Sequence, residues 1–447
     1  MSKSNELYRR DKEAISDIMK LRFYPLVVKT GNKATLIDED GKEYLDFSAG
    51  WGVANVGYNH PRITDAVCKA VKKLSTSSTI SAINEESVEL AERLKKLLPG
   101  DFDKSVWYGH SGSDANEFIA KIVPYATGKS KILTFVGSYH GQTMGSYAMS
   151  GHPSQSKLSG GGGNIVKIPY PYCYRCAFEK TQDTCDLFCL RYLENYIFDA
   201  VAAPDQIGAV VIEAIQCDGG DVVPAEGFIK GLEQICRQND ILLIIDEVKI
   251  GFGRTGKMFG FEHYDVTPDA VIMGKPLGGG QPLSAVVGRK ELMNSGTGMH
   301  LFTTAGNAVA CAAAIESLEI IRDEKLAENA QKTGDYLVKK LNELKQKYDV
   351  IGEVRGKGLV VGVELVKNRE TNEPASELSA LVVYRAYQRG LIFYNSGINS
   401  NVLELTPPLV ITEEDVDKAV DIIRQSIDDV LEGKITIEEI SDFAGWN

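Results

Sequence analysis

Residues 241–257 read ILLIIDEVKIGFGRTGK, and residues 269–280 read DAVIMGKPLGGG. Each segment begins as a short apolar run, which is typical of a buried parallel strand. The first run ends at Asp246 and the second leads to Lys275, and glycines follow both. Because the carboxyl ends of parallel strands border one crevice in an open α/β sheet, the two side chains are predicted to face the same ligand.

Strands and helices alternate through the middle of the chain. Further apolar runs, SVWYGH (105–110), KILTFVG (131–137) and GAVVIEAIQ (208–216), predict buried strands. Amphipathic segments between the runs, DANEFIAKIVPYA (114–126) and FIKGLEQICRQN (228–239), predict helices. This rhythm predicts an α/β fold with a mostly parallel sheet and helices on both of its faces.

The two ends of the chain follow a different pattern. The stretch ATLIDEDGKEYLDF (34–47) predicts a hairpin, and a long charged helix begins near residue 327. Beyond it, EVRGKGLVVGVELVK (353–367) predicts one half-exposed strand, and PPLVITEEDVDKAV (407–420) leads into a predicted final helix. We therefore expect a large domain over residues 56–320 and a smaller α+β domain formed by residues 1–55 and 321–447.

The composition limits the classes of partner. The chain has 447 residues, a hydrophobic fraction of 43% and a formal net charge of −12. Nucleic acids and anionic membranes need clustered Lys and Arg, so the acidic balance argues against both. No apolar run approaches the length of a membrane span, and the charged N-terminus lacks the apolar core of a signal peptide. We expect a cytoplasmic globular protein.

The glycines after the first strand admit two nucleotide-binding interpretations. Gly251, Gly253 and Gly256 fit G-x-G-x-x-G, and the span from Gly251 to Lys257 fits G-x4-G-K. However, the next residue is Met258, where a phosphate-binding loop needs Ser or Thr for magnesium. The acidic residue also precedes the glycines instead of following them. Both interpretations are therefore disfavoured.

A lysine and an aspartate at neighbouring strand ends suit pyridoxal 5'-phosphate (PLP). Its aldehyde forms a Schiff base with a lysine, and an aspartate keeps its pyridine nitrogen protonated so that the ring accepts electrons. The alternative is a structural ion pair between Asp246 and Lys275. A lysine buried among glycines is costly without a function, which favours the cofactor.

Two further motifs fit a PLP site. The stretch GHSGSDANE (109–117) places Ser111, Gly112 and Ser113 at a helix start, where N–H groups and the helix dipole favour a phosphate. Taken alone, it also fits a simple N-cap. The stretch GSYHGQT places Tyr139 and His140 after another strand, where an aromatic ring can stack on a flat cofactor.

Together the motifs resemble those of class III aminotransferases of the ornithine and 4-aminobutyrate type. That family has PLP fold type I, with a seven-stranded, mostly parallel sheet in the large domain. The resemblance spans nearly the full length and implies amino acid or amine and keto acid substrates, and a homodimer or a dimer of dimers. It rests on YLDFSAGWGVANVGYNHP, HSGSDANE, SYHG, VIEAIQCDGG, IIDEV with IGFGRTGK, MGKPLGGGQPLSA, FTTAGN, VRGKGLVVGVEL and PPLVI.

The resemblance implies roles for the strand-end residues. Lys275 is similar in position to the Schiff-base lysine of the family, and Asp246 to the partner of the pyridine nitrogen. Val248 would pack under the cofactor ring, and Tyr139 would stack above it.

Other matching positions imply contacts to the phosphate and the pocket. Gly112 and Ser113 would bind the phosphate, joined by Thr303 from the second subunit. Glu213 corresponds to a structural acid of the pocket. The further expected cofactor contacts are Ser111, His140, Lys249 and Thr304.

Three positions depart from the family pattern. Asp218 stands where glutamate-using members have the acid of GEGG, which pairs with a carboxylate-clamping arginine. Lys249 stands where the family usually has a glutamine that contacts the cofactor's phenolic oxygen. Glu404 stands where many members have an arginine that clamps a carboxylate. We therefore expect a pocket that does not favour glutamate, unless Arg355 reads the carboxylate. The expected substrate contacts are Trp51, Glu404 and Arg355.

Asp218 supports a rival activity. QCDGG (216–220), PYPYCYR (169–175) and HLFTTAGN (300–307) resemble a subgroup of the same fold that racemises or epimerises free amino acids. Transamination needs only Lys275 to move a proton, whereas racemisation needs a second base, here Asp218, on the opposite face. Because the aminotransferase motif set is broader, we expect transamination, with racemisation as the alternative.

The stretch YCYRCAFEKTQDTCDLFC (172–189) holds four of the eight cysteines, spaced C-x2-C-x8-C-x3-C. Tetrahedral zinc ligation, free thiols and disulfides all remain open for Cys173, Cys176, Cys185 and Cys189. The spacing matches no zinc module that we know, so we expect free thiols and no metal site. The segment is not expected to carry the chemistry.

Overall fold

The computed structural model describes residues 2–153, 163–443 and 445. The chain forms two compact units. The large unit consists of Pro61–Gly253 and Lys257–Glu324, and the small unit of Met1–His60, Arg254–Gly256 and Lys325–Asn447. Three residues in the middle of the glycine-rich stretch therefore belong to the small unit, which the sequence pattern does not predict.

The strands, in chain order, are β1 (Val28–Asn32), β2 (Thr35–Asp38), β3 (Glu43–Asp46), β4 (Lys104–Gly109), β5 (Lys131–Phe135), β6 (Ile165–Ile168), β7 (Ile207–Glu213), β8 (Leu242–Asp246), β9 (Ala270–Met273), β10 (Ser284–Arg289), β11 (Ile351–Lys357), β12 (Val360–Leu365), β13 (Leu391–Ile392), β14 (Tyr394–Ser396) and β15 (Val402–Leu405). The helices are α1 (Lys3–Ala14), α2 (Ala49–Gly52), α3 (Pro61–Leu74), α4 (Glu85–Leu97), α5 (Gly112–Thr127), α6 (Met144–Met149), α7 (Gln182–Cys185), α8 (Phe188–Tyr192), α9 (Phe228–Gln238), α10 (Lys290–Met293), α11 (Ala308–Asp323), α12 (Leu326–Lys345), α13 (Ser376–Gln388) and α14 (Glu413–Leu431).

The large unit is built on a seven-stranded sheet with the order β4-β10-β9-β8-β7-β5-β6. Only β10 runs antiparallel, and it pairs with β4 on one side and β9 on the other. Every residue of β7 and β9 is buried, as expected for strands that helices cover on both faces. The predicted α/β fold with a mostly parallel, seven-stranded sheet is therefore confirmed.

The register of the central strands brings charged residues to one edge. Glu213, the last residue of β7, is the cross-strand partner of Asp246, the last residue of β8. Asp246 in turn pairs with Ile272 of β9, which places the chain leading to Lys275 at the same edge. Lys275 has a positive φ of 41°, an unusual conformation for a residue with a side chain. Such backbone positions concentrate at functional sites.

The small unit contains two four-stranded sheets. In one, β2 and β3 form the predicted hairpin, and β13 adds in parallel to β3. In the other, all pairings in the order β11-β12-β15-β14 are antiparallel. The prediction of a single half-exposed strand over residues 353–367 is wrong. The chain turns at Gly358 and forms two antiparallel strands, β11 and β12. Gly358 has a φ of 55°, and a Cβ there would lie 2.4 Å from the carbonyl carbon of Thr255.

Candidate active site

The start of α5 offers two backbone donors. Ser111 is the N-cap, and its hydroxyl accepts a hydrogen bond from the N–H of Asp114 at 3.2 Å. The Asp114 carboxylate accepts from the N–H of Ser111 in return, at 3.2 Å. Among the described residues, no acceptor contacts the N–H groups of Gly112 and Ser113. Since a helix start also carries a partial positive charge, this end of α5 suits an anion such as a phosphate.

Val248 packs directly against the start of this helix. A Cβ on Gly112 would lie 2.8 Å from Cγ1 of Val248, so only glycine fits there. A Cβ on Gly274 would lie 3.3 Å from the same methyl group and 3.4 Å from the nitrogen of Gly112. The start of α5, Val248 and the residue preceding Lys275 are therefore immediate neighbours.

Asp246 is held by three hydrogen bonds. Its Oδ2 accepts from Nδ1 of His140 at 2.7 Å and from Nδ2 of Asn116 at 2.9 Å. Its Oδ1 accepts from the N–H of Val248 at 3.0 Å. The side chain is only 4% exposed, so these bonds rather than water fix its orientation. Within the described part of the chain, Nε2 of His140 has no partner.

Glu213 lies beside this carboxylate at the end of the neighbouring strand. Burial raises the pKa of Glu213 well above its usual range, and the charges of Asp246 and Asp218 raise it further. Its Oε2 accepts a hydrogen bond from the N–H of Tyr139 at 3.3 Å. The tyrosine hydroxyl accepts from Nε2 of Gln142 at 3.2 Å, which holds the ring at the same edge of the sheet.

Asp218 and Lys249 form a buried ion pair in the large unit. Nζ of Lys249 lies 3.3 Å from Oδ1 of Asp218, and the two side chains are 6% and 9% exposed. Burial alone would raise the pKa of Asp218. The charges of Lys249, Lys275 and His152 outweigh it and hold that pKa below its usual value. The structure thus brings Asp218, Lys249 and Lys275 into one electrostatic cluster.

The two threonines lie on one turn with different surroundings. Oγ1 of Thr304 is 2.9 Å from Nε2 of His110, the residue that precedes Ser111. Thr304 is thus tied within its own chain to the segment leading into α5. Thr303 is exposed, and its contact with a phosphate of a second subunit stays a prediction.

Two of the expected substrate residues lie in the β11–β15 sheet of the small unit. Nη1 of Arg355 lies 2.5 Å from Glu353 and 2.6 Å from Glu364, so two carboxylates balance its charge. Glu404 is fully buried on β15, which excludes a side chain that points to solvent. Its charge contributes to the raised pKa of Tyr394, for which burial is the main cause.

Trp51, the third expected substrate residue, borders an aromatic cavity in the small unit. Its ring stacks on Tyr394 with a centroid distance of 4.3 Å. The cavity measures about 610 Å³. Phe23, Tyr24 and Tyr58 are among the other residues that line it. Such walls suit an apolar group.

The cysteine segment forms short helical turns in the large unit. Cys173, Cys176 and Cys185 are half-buried thiols, and Cys189 is buried. Burial raises the pKa of Cys189 to about 11, with Cys185 and Cys173 as further causes. Within the described residues, no group of three or more His, Cys, Asp or Glu side chains is arranged to hold a metal ion.

The sequence pattern does not predict the roles of Asn116 and His152 in this site. Asn116 lies inside the HSGSDANE motif, and its side chain also donates to the carbonyl of Gly112, one turn back, at 3.1 Å. The spacing of four residues predicts that Asn116 and Gly112 share one face of the helix, but it does not predict that the side chain contacts Asp246. His152 follows no motif, and its N–H donates to the carbonyl of Ser138 at 3.0 Å. Nothing in its sequence context indicates that it faces Asp218.

The chain is similar to known proteins over nearly its whole length. Residues 19–427 match the family described as Aminotransferase class-III. An alanine/serine racemase of Pyrococcus horikoshii is 39% identical over 97% of this chain and 92% of its own length. A 5-aminovalerate aminotransferase of Pseudomonas aeruginosa is 35% identical over 96% of this chain and 100% of its own. The crystal structure of an (S)-enantioselective omega-transaminase from Thermomicrobium roseum has a TM-score of 0.90 and 30% identity, and covers 96% of this chain and 100% of that one.

The chain therefore belongs to the class III aminotransferases, the enzyme family that transfers amino groups between amino acids or amines and keto acids. The similar proteins also include amino acid racemases, so both activities occur among its relatives. No helix in the described part of the chain is long and apolar enough to cross a bilayer.

Proposed function

We propose that the chain binds PLP, with Lys275 as the linking lysine and Asp246 as the partner of the pyridine nitrogen. The available N–H groups of Gly112 and Ser113 support a phosphate at the start of α5. The buried Asp246 carboxylate, oriented by its three donors, supports a nitrogen partner. When bound, PLP supplies an aldehyde that links to an amine and a ring that accepts electrons from the α-carbon.

The reaction that this geometry supports best is inversion at the α-carbon of a free amino acid, that is, racemisation or epimerisation. It requires two groups that exchange a proton with the α-carbon from opposite sides. Lys275 is one such group in either reaction of the family. The observation that carries the proposal is the buried Asp218 carboxylate, which Lys249 balances and which lies within the electrostatic reach of Lys275.

Transamination is the second candidate, and the family match over residues 19–427 favours it. It requires only Lys275, which would take the proton from the α-carbon and deliver it to the cofactor on the same face. Asp218 would then have no proton to carry and would serve as a wall of the pocket. The two candidates share every cofactor contact and differ only in the use of Asp218.

Two residues of the small unit bear on the substrate class, because the family resemblance implies that they contact the substrate. Arg355 is balanced by Glu353 and Glu364, so it offers no net charge to a substrate carboxylate. Glu404 adds a buried acid where many family members have an arginine. A second carboxylate on the substrate would gain no charge-assisted bond and would meet like charge. We therefore propose an amino acid with an apolar or cationic side chain and exclude glutamate as the preferred substrate.

We also propose that the chain acts as a homodimer or a dimer of dimers, in which Thr303 of a second copy completes the phosphate site. The exposure of Thr303 supports this arrangement. Analytical ultracentrifugation of the purified protein tests it. A monomer that is fully active at concentrations used for assay would contradict it.

One experiment separates the two candidate reactions. The protein is incubated with single amino acids in deuterated water, and the products are analysed by chiral chromatography and mass spectrometry. Racemisation predicts inversion with uptake of one deuterium at the α-carbon and no keto acid. Transamination predicts one equivalent of keto acid per chain and no inverted amino acid. Neither product with any of the apolar, cationic and acidic substrates would overturn both candidates.

A further inference from the structure

Residue 249 differs from the usual family residue in charge. A lysine stands where aminotransferases usually have a glutamine, and its side chain is only 6% exposed. A buried ammonium group is unfavourable unless a counter-charge compensates its lost hydration. Asp218 supplies that counter-charge at 3.3 Å. The unusual lysine and the proposed second base are thus a single electrostatic unit.

Five charged or titratable groups of the large unit act on Asp218 or respond to it. These groups are Lys249, Lys275, His152, Glu213 and Tyr139. Burial raises the pKa of Asp218, and Lys249 is the largest influence in the opposite direction.

Lys249 is also the steadiest of these influences. Lys275 cannot hold a constant charge, since its amine is the group that reacts in the proposed function. His152 carries a charge only when it is protonated. Among the described residues named here, Lys249 is therefore the positive charge beside Asp218 that persists through a turnover.

We propose that Lys249 is a positioning residue that keeps Asp218 ionised and aimed as the second base, an inference that rests on the proposed racemase function. In the direction that uses Asp218 as the base, the Cα–H bond breaks and the proton moves to a carboxylate oxygen. The electron pair stays with the substrate, and the ammonium of Lys275 then donates a proton to Cα from the other side. The reverse direction restores both groups, so no oxidant or reductant is needed.

The proton count of this cycle makes a specific kinetic prediction. In either direction the substrate-bound enzyme carries one proton on the pair formed by Asp218 and Lys275, so kcat for both enantiomers follows one bell-shaped pH profile. Its acid limb reports the protonation of Asp218 while Lys275 is still protonated. Lys249 does not exchange a proton and acts only through its charge.

The test compares Lys249→Gln, which restores the usual family residue, with Lys249→Arg and with Lys257→Gln as a matched control. Lys257 is an exposed lysine of the same loop. For Lys249→Gln we expect the acid limb of kcat, which reports the substrate-bound enzyme, to move up by about 1–3 pH units for both enantiomers. Lys249→Arg keeps the charge and should keep the limb, and Lys257→Gln should match the wild type. If Lys249→Gln lowers the maximum of the pH profile but leaves its acid limb at the wild-type pH, Lys249 only fills space, and the proposal is overturned.

A second measurement needs no turnover. The lowered pKa of Asp218 stabilises the folded wild type above the ordinary pKa of aspartate, and this stabilisation is lost as the pH falls. Without Lys249, burial raises that pKa, and the buried carboxylate destabilises the fold as the pH rises. The deficit of Lys249→Gln in urea unfolding should therefore be larger at pH 8 than at pH 5, and an equal deficit would contradict the proposal. A wild type that never inverts the α-carbon in deuterated water would instead refute the proposed function itself.

Discussion

Asp246 and Asp218 are both buried carboxylates of the large unit, but their surroundings differ. Asp246 ends a central strand and accepts hydrogen bonds from three groups, none of which is a lysine or an arginine. Asp218 lies on a turn beyond β7, forms an ion pair with Lys249, and has its pKa lowered also by the charge of Lys275. Hydrogen bonds from a helix, a strand end and a histidine fix a direction, whereas neighbouring ammonium groups set a protonation state. These surroundings suit the proposed roles: Asp246 as a charge held in place, and Asp218 as a base that takes up and releases a proton.

The largest expected effect concerns Asp246. We expect Asp246→Asn to lower kcat/KM by about a thousandfold or more in racemisation and in the transamination half-reaction alike, since it removes the charge that the cofactor nitrogen needs. Steady-state kinetics and single-turnover absorbance measure both. A variant that keeps a tenth of the activity would show that the Asp246 charge is dispensable, and the contrast with Asp218 would collapse.

Asp218→Asn separates the two reactions. We expect racemisation to fall by about 10²–10⁴-fold, the usual contribution of one general base, while formation of keto acid in a single half-reaction changes by less than about tenfold. Asp265→Asn is the matched control, because that side chain is fully exposed. Equal losses in both reactions would assign Asp218 to the pocket wall and favour transamination.

A variant of Asn116 tests whether activity depends on the orientation of the Asp246 carboxylate. Asn116→Ala removes one of the two donors to Oδ2 and leaves that from His140. We expect a loss of about 1–3 kcal/mol in the free energy of unfolding and about a tenfold fall in kcat, because the carboxylate is no longer held from the α5 side. Urea unfolding and kinetics measure the two effects. Loss of stability alone would mean that His140 and the N–H of Val248 suffice to orient the carboxylate.

The smallest effect is expected at Glu404. Glu404→Arg should raise the use of glutamate several-fold relative to a neutral amino acid and weaken a cationic substrate, because the new charge attracts a carboxylate. Glu404→Gln provides the neutral control and should shift the ranking less. Kinetics against acidic, neutral and cationic amino acids decide it. An unchanged ranking in both variants would place Glu404 outside the substrate pocket.

The sequence pattern predicts the surroundings of Asp246 well. Short apolar runs identify β8 and β9, and the rule for parallel strand ends brings Asp246 and the chain leading to Lys275 to one edge. Asn116 escaped prediction, because its role depends on how α5 packs against β8. No local pattern reveals that contact.

The sequence pattern predicts the surroundings of Asp218 only in part. Asp218 and Lys249 were each identified as unusual, but their pairing depends on the path of the chain after β7. There, Gln216 and Val222 form an antiparallel bridge that turns residues 217–221 back. A Cβ on Gly219 would lie 2.1 Å from Oε1 of Gln216, so a larger residue at that position would have to displace this side chain. Loop conformations of this kind follow from tertiary packing rather than from periodicity.

The small unit also constrains the order in which the protein folds during synthesis. The chain of the large unit emerges between the two main parts of the small unit, and Leu45 of β3 pairs with Leu391 of β13. At about 5–20 residues per second, the edge of β3 waits on the order of tens of seconds for its partner. During that interval the β1–β3 sheet has an open strand edge, which is a template for pairing between nascent chains. Expression yield should therefore depend on temperature and on chaperones that shield this N-terminal hairpin until translation is nearly complete.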